Sequence, residues 1–99
     1  MITIVAKLQA AAGKEKELQD ACAAMVANVA KNEPGVPVYS LHTSDKEPGL
    51  VLFYEQYADK AAQDAHGTTD HMKAFGAGLA GLLDGRPVIE RYTQIAGVK

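Results

Sequence analysis

The sequence contains no tryptophan and only one cysteine, Cys22, so an intrachain disulfide is excluded. It has no basic tract, and its formal net charge of −2 does not provide the electrostatic footprint of a nucleic-acid-binding protein. No apolar run approaches the roughly 20 residues that a membrane helix requires. The first residues, Met1 to Val5, lack the basic region and cleavage site of a secretory signal. We therefore expect a cytoplasmic protein without a nucleic-acid or membrane partner.

Large apolar side chains are also scarce. Hydrophobic residues make up 47% of the chain, but alanine is the most common of them. Ninety-nine residues suffice for one domain, which we place over 1–99, yet a core of this composition buries little surface. We expect the chain to bury more surface by forming a homodimer.

The hydrophobic periodicity predicts an alternation of strands and helices. In chain order, the first predicted elements are a strand over 2–9, a helix over 14–32, and strands over 36–43 and 50–57. A short helix after Asp59 ends at Gly67, and a further helix, capped by Thr68 or Thr69, runs to about 84–85. The last predicted element is a strand over 88–95. This β-α-β-β-α-β order, with the second helix broken at Gly67, predicts a ferredoxin-like α+β plait.

Residues 50–75 hold most of the groups that can bind a ligand or transfer a proton. They include both phenylalanines, two of the four tyrosines and two of the three histidines. Alternation places Phe53, Glu55 and Tyr57 on one face of the predicted strand, so Glu55 is a carboxylate within an apolar surface. The helices that follow allow His66 and His71 to point towards the sheet. We expect this segment to form one wall of a ligand-binding cavity.

His66 is the candidate general base, because an imidazole can accept a phenolic proton near neutral pH. It can equally be a half-buried histidine that holds the turn at Gly67 through a hydrogen bond. Glu55 is the candidate catalytic partner that orients the imidazole. The structural alternatives for Glu55 are a salt bridge to Lys60 or Arg91, or a hydrogen bond at a helix end.

The remaining candidates have substrate-binding roles that compete with ordinary packing. Tyr39 and Tyr57 can donate to a ligand oxygen, although a tyrosine in a strand commonly serves the core. A packing or solvated role fits His71 better than metal binding, because its separation from His66 is not the i,i+4 spacing of helical metal pairs. We therefore expect no metal site. The predicted apolar wall of the cavity comprises Phe53, Met72 and Phe75.

Several short motifs occur in a fixed order along nearly the whole chain. They are Gly13-Lys14 after the first strand, Asn32-Glu33-Pro34-Gly35 leading to Tyr39, Pro48-Gly49, Phe53-Tyr54-Glu55-Gln56-Tyr57, and the HGTTDHMKAF stretch at 66–75. In these motifs the chain resembles the antibiotic biosynthesis monooxygenase (ABM) family, and within it the quinol monooxygenase type.

The resemblance implies a dimeric α+β barrel with a ligand cavity in each subunit between the sheet and the helices. It also implies oxygenation of an electron-rich phenol or quinol by O2 without a cofactor, whether metal, flavin or haem. The haem-degrading branch of the family fits less well, because it relies on a tryptophan that this chain lacks. The pocket positions that the resemblance carries over are Tyr39, Glu55, His66 and Phe75, with His71 as an addition.

Our hypothesis from the sequence is a cofactor-independent monooxygenase that oxidises a quinol or polyphenol, with His66 and Glu55 as catalytic residues. Two alternatives keep the fold. The chain can be a non-catalytic dimeric module that binds a small aromatic ligand or serves a stress response, or an isomerase of a small oxygenated metabolite. Oxygen consumption separates the monooxygenase from the binding module, and product mass separates it from the isomerase.

Overall fold

The computed structural model describes residues 1–98. Within that range the elements are, in chain order, β1 (Ile2–Gln9), α1 (Glu15–Asn32), β2 (Val38–Thr43), β3 (Leu50–Tyr57), α2 (Lys60–Gly67), α3 (Asp70–Gly78) and β4 (Val88–Thr93). The strands form one sheet in the order β2-β3-β1-β4, and each neighbouring pair is antiparallel. The predicted ferredoxin-like α+β fold, with its second helix broken after Gly67, is confirmed.

One face of the sheet carries the hydrophobic core. In the antiparallel register Ala6 lies opposite Phe53 and Leu8 opposite Val51, so their side chains share that face. The first helix covers it with a fully buried stripe at the spacing that the sequence predicts, formed by Leu18, Cys22, Met25 and Val29.

Side-chain caps fix the corner between α2 and α3. The Asp59 carboxylate accepts from the Ala62 N–H at 2.9 Å and begins α2. The Thr69 hydroxyl accepts from the Met72 N–H at 3.2 Å and donates to the His66 carbonyl at 2.9 Å. Thr69 therefore begins α3 and ties it to the end of α2, which places His66 and His71 on either side of one tight turn.

Three predicted boundaries differ from the structure by two residues or more. The helix expected to reach 84–85 ends at Gly78, because Gly81 adopts a φ of 78° and the Leu82 carbonyl accepts from the Ala11 N–H. The second strand begins at Val38 rather than 36, since the Val36 N–H closes a turn onto the Glu33 carbonyl. The last strand ends at Thr93, the partner of the first residue of β1, so residues 94 and 95 have no β1 partner.

The opposite face of the sheet is more open. Tyr54, Val88 and Tyr92 lie on it, opposite Val5, Lys7 and Thr3 of β1. The exposed fractions are 38% for Tyr54, 53% for Val88 and 51% for Tyr92, which are large values for apolar or aromatic side chains on a sheet.

Among the described residues, no helix is both long and apolar enough to cross a membrane.

Candidate functional site

A cavity of about 360 Å³ lies between the core face of the sheet and the α2–α3 corner. A volume of this size suits a small organic ligand. Its lining is mainly aliphatic and aromatic, with few polar groups. The structure brings most of the predicted site residues together on its walls, namely Tyr39, Phe53, Glu55, Tyr57, His66, Met72 and Phe75.

His66 lies at the end of α2, where it is 7% exposed. Its ring packs against the rings of Tyr39 and Tyr57, with centroid separations of 5.3 and 5.5 Å. Its Nδ1 lies 3.0 Å from Oε1 and 3.1 Å from Oε2 of Glu33. An ionised carboxylate can only accept, so Nδ1 is the donor, and in the neutral form of the ring the lone pair lies on Nε2.

The Nε2 atom of His66 is available to a ligand. No hydrogen bond among residues 1–98 engages it, whereas every buried side-chain N or O atom in that range has a partner. Nε2 is therefore accessible, on a residue that lines the cavity. The arrangement is a histidine whose tautomer is set by a carboxylate on one side and whose basic nitrogen is open on the other.

The carboxylate that bonds to His66 is not the one predicted from the sequence. The prediction paired the imidazole with Glu55. Within the described chain no hydrogen bond joins His66 to Glu55, and Glu33 takes that place. Glu33 is the C-cap residue of α1, and its side chain is 8% exposed. An acidic residue at a helix C-terminus opposes the helix dipole, so its position before Pro34-Gly35 is the sequence signal that marks it as unusual.

Gly35 helps to bring Glu33 and His66 together. A Cβ atom at this position would lie 3.1 Å from the Cβ of Ala62 on α2, closer than ordinary packing allows. The Gly35 carbonyl also accepts from the Ala58 N–H at 3.2 Å, just before α2 begins. The glycine thus lets the turn after α1 approach α2, and the carboxylate at that turn reaches the histidine at the far end of α2.

Glu55 is buried and forms a separate pair with Tyr57. The Tyr57 hydroxyl donates to Oε1 of Glu55 at 2.6 Å, because residues two apart on a strand share a face. Burial raises the pKa of Glu55 to about 7, the hydrogen bond from Tyr57 opposes this shift, and the charge of Glu33 adds to it. Lys60, one of the expected salt-bridge partners, bonds to Asp64 instead.

The two tyrosines have different roles in the cavity. Burial and the charge of Glu55 raise the pKa of both Tyr39 and Tyr57, so both hydroxyls stay protonated. The Tyr57 hydroxyl is committed to Glu55. The hydroxyl of Tyr39 forms no hydrogen bond within residues 1–98 and, like Nε2 of His66, is not fully buried. Tyr39 is therefore the tyrosine that can donate to a ligand.

Phe53 and Phe75 form an aromatic wall, with their rings edge to face and 5.9 Å apart at the centroids. Tyr39 extends this wall, since its ring centroid lies 5.2 Å from that of Phe53.

Cys22, by contrast, is buried in the core, and burial raises its pKa to about 11, which keeps the thiol protonated and unreactive.

His71 does not line the cavity. Its Nε2 lies 2.5 Å from Oε2 of Glu33, an oxygen that is also 3.1 Å from Nδ1 of His66. The third histidine, His42, is exposed on β2 and bonds to the Ser40 hydroxyl at 2.9 Å. The structure thus separates the histidines into one at the cavity, one behind it and one at the surface.

The family profile described as "Antibiotic biosynthesis monooxygenase" matches residues 1–78, which include β1 to α3 and all the cavity residues named above. The chain belongs to this family. No curated protein sequence is a significant match to the chain. ABM membership confirms the resemblance found in the sequence, and it supports a monooxygenase-type activity on a small molecule.

Solved structures of similar proteins agree with this ABM assignment. A candidate antibiotic biosynthesis monooxygenase from Caulobacter crescentus CB15 is 37% identical, with a TM-score of 0.91, covering 96% of this chain and 90% of that one. PA3566 from Pseudomonas aeruginosa is 30% identical, with a TM-score of 0.87 and coverage of 96% and 94%. SO0527 from Shewanella oneidensis is also 30% identical, with a TM-score of 0.86 and coverage of 94% and 89%.

Proposed function

We propose that this ABM protein is a cofactor-independent monooxygenase that oxidises a small quinol or related polyphenol with O2. The observation that carries the proposal is the Glu33–His66 pair at the wall of a mainly apolar cavity. Glu33 holds Nδ1 of the imidazole and leaves Nε2 as a base that a ligand can reach. The aromatic lining favours a flat, electron-rich ring as the ligand.

In the first step, Nε2 of His66 takes a phenolic proton from the substrate. The electron-rich phenolate passes one electron to O2, which gives a phenoxyl radical and superoxide. These radicals combine at a ring carbon that bears hydrogen, and the imidazolium returns its proton to form a hydroperoxide. Loss of water leaves a new carbonyl, so one oxygen atom enters the quinone and the other becomes water. The substrate supplies all four electrons, and no other reductant is required.

The other cavity residues support this chemistry. The Tyr39 hydroxyl, which stays protonated, donates to the phenolate oxygen as charge develops on it. Phe53, Phe75 and Met72 hold the ring and exclude the water that would intercept radical intermediates. Glu55 supports the site through Tyr57 rather than through His66.

We also propose that the protein is a homodimer formed through the open face of its sheet. Tyr54, Val88 and Tyr92 are exposed together on that face, and a second copy would bury them. A chain of 99 residues with an alanine-rich core gains stability from this additional burial. Two such sheets facing each other form the dimeric barrel that the sequence resemblance implies.

The test is oxygen consumption with a small hydroquinone, benzene-1,4-diol, measured aerobically and with isotope-labelled O2. We expect the wild type to exceed the uncatalysed rate and to place one labelled oxygen atom in the product. His66→Ala should lower the rate by about 10²–10⁴-fold, the usual contribution of a general base. His42→Ala, which removes an exposed histidine on β2, is the matched control and should behave as the wild type.

Each other outcome points to a different function. Equal rates for the wild type and His66→Ala, above background, would remove His66 from the mechanism. Tight binding of the hydroquinone without oxygen consumption would favour the non-catalytic binding module. A product of unchanged mass would favour an isomerase.

A further inference from the structure

Three metal-ligating side chains from three different helix ends converge behind the cavity. They are Glu33 at the C-cap of α1, His66 at the end of α2 and His71 in the first turn of α3. One donor atom from each lies within 4.8 Å of the others. The exposed fractions of the side chains are 8%, 9% and 14%, so the group is largely shielded from solvent.

The donor set is two imidazole nitrogens and one carboxylate oxygen. This combination occurs at zinc sites with one open position and at non-haem iron sites, whereas Mg²⁺ and Ca²⁺ prefer oxygen donors alone. In addition, no lysine or arginine within residues 1–98 forms a salt bridge with Glu33, although its carboxylate is buried. A divalent ion would neutralise a charge that has no permanent cation beside it.

Two of the three donor separations lie within about 1 Å of those around a tetrahedral ion, and the third, between the two imidazole nitrogens, is at most 4.8 Å. Ligand bonds of about 2.0–2.1 Å at tetrahedral angles separate neighbouring donors by roughly 3–3.5 Å. Oε2 of Glu33 lies 3.1 Å from Nδ1 of His66 and 2.5 Å from Nε2 of His71. A metal would replace the two bridging protons and move the His71 donor outward by less than about 1 Å.

We propose that Glu33, His66 and His71 form a binding site for a divalent first-row transition-metal ion, with Zn²⁺ as the typical occupant and water as its fourth ligand. The sequence predicted no metal site, because the separation of His66 and His71 is not that of helical metal pairs. Glu33 lies 33 residues from His66 and 38 from His71 along the chain, and the fold supplies it.

The ion would act on the cavity through His66. When Nδ1 coordinates a metal, the ring proton of a neutral imidazole must lie on Nε2, which then can no longer accept a proton. If the proposed function is correct, Zn²⁺ therefore inhibits oxidation reversibly, and a chelator restores it. The ion would also link the ends of α1, α2 and α3 and stabilise the folded protein in proportion to its binding.

The binding test uses untagged protein titrated with Co²⁺ alone, followed by visible absorption and by calorimetry. The wild type should bind one Co²⁺ per chain, with the absorption bands of a four-coordinate nitrogen–oxygen site. His71→Gln should weaken the affinity by more than about 100-fold, because loss of a direct ligand exceeds the about 10–100-fold effect of outer-shell partners. His42→Gln should bind Co²⁺ as the wild type does. Equal affinities for the wild type and His71→Gln, or no saturable binding by the wild type, would overturn the proposal.

A second measurement needs no variant and covers the case in which His71→Gln does not fold. Imidazole nitrogen resonances of the wild type are recorded with and without Zn²⁺. The proposal requires large shifts for His66 and His71 and none for His42, and any other pattern rejects it. If metal binding passes these tests but does not inhibit hydroquinone oxidation, the metal-site proposal stands. The role of Nε2 as the base is then contradicted.

Discussion

At the scale of single residues, Glu33 is the side chain on which the site most depends. It accepts hydrogen bonds from both His66 and His71 while being almost fully buried itself. We argue that it acts as a positioning residue, because it fixes the tautomer and orientation of His66 without contacting the cavity.

Replacement of Glu33 by glutamine should therefore lower kcat for hydroquinone oxidation by about 10–100-fold and leave KM nearly unchanged. The amide accepts hydrogen bonds through one oxygen only and lacks the negative charge that stabilises an imidazolium during proton transfer. Steady-state kinetics measure the effect, and Glu47→Gln in the exposed β2–β3 turn is the matched control. An unchanged kcat in Glu33→Gln, with the fold intact, would contradict the positioning role.

Glu55 makes stability depend on pH in a predictable direction. Its pKa rises from 4.5 to about 7 on folding, so the folded state retains a proton that the unfolded state loses. The contribution of Glu55 to the free energy of unfolding is therefore largest below pH 4.5. It falls as the pH rises towards 7 and is constant above that. The total loss is up to about 3 kcal/mol.

Glu55→Gln removes this titration. Chemical denaturation of the wild type and the variant between pH 4.5 and 8 should give curves that diverge, with the variant gaining relative stability as the pH rises. Parallel curves would show that the carboxyl group is not held in its neutral form near pH 7 by burial.

At the scale of elements, the α2–α3 corner determines where the histidines lie. Thr69 is the cap that joins the two helices, since its hydroxyl contacts both Met72 and His66. Thr69→Ala should lower the free energy of unfolding by about 1 kcal/mol, as the loss of an N-cap usually does. The neighbouring Thr68 donates only to the Ala65 carbonyl from an exposed position, so Thr68→Ala should cost less. Equal losses in thermal or urea unfolding would refute this assignment.

The elements also show what the sequence could and could not predict. The strands at 2–9 and 50–57 and the stripe of α1 follow from local periodicity, and the structure has them where that periodicity predicts. The caps Asp59 and Thr69 follow from local turn chemistry. The partner of His66 does not, because Glu33 reaches it only through the approach of α1's end to α2 at Gly35. Glu55, which looked suitable in the sequence, is instead turned towards Tyr57 by the alternation of β3.

At the scale of the whole molecule, the open face of the sheet is the feature that bears on assembly. If this face forms the dimer, the wild type should sediment with twice the monomer mass of 10.5 kDa. Tyr92→Lys should shift the equilibrium towards the monomer, because it places a charge in the apolar interface. Ala27→Lys, on the exposed side of α1, is the control and should remain dimeric. Dimers of equal strength in both variants would place the interface elsewhere.

The proposed function depends on His66 acting as a base towards a phenol inside the cavity. The most direct measurement is the absorption spectrum of a small hydroquinone bound without oxygen at pH 7, which distinguishes the phenol from the phenolate. We predict a phenolate band in the wild type and in His42→Ala, and its loss in His66→Ala at matched occupancy. A bound ligand that remains fully protonated in the wild type, or a phenolate band that survives in His66→Ala, would contradict the account.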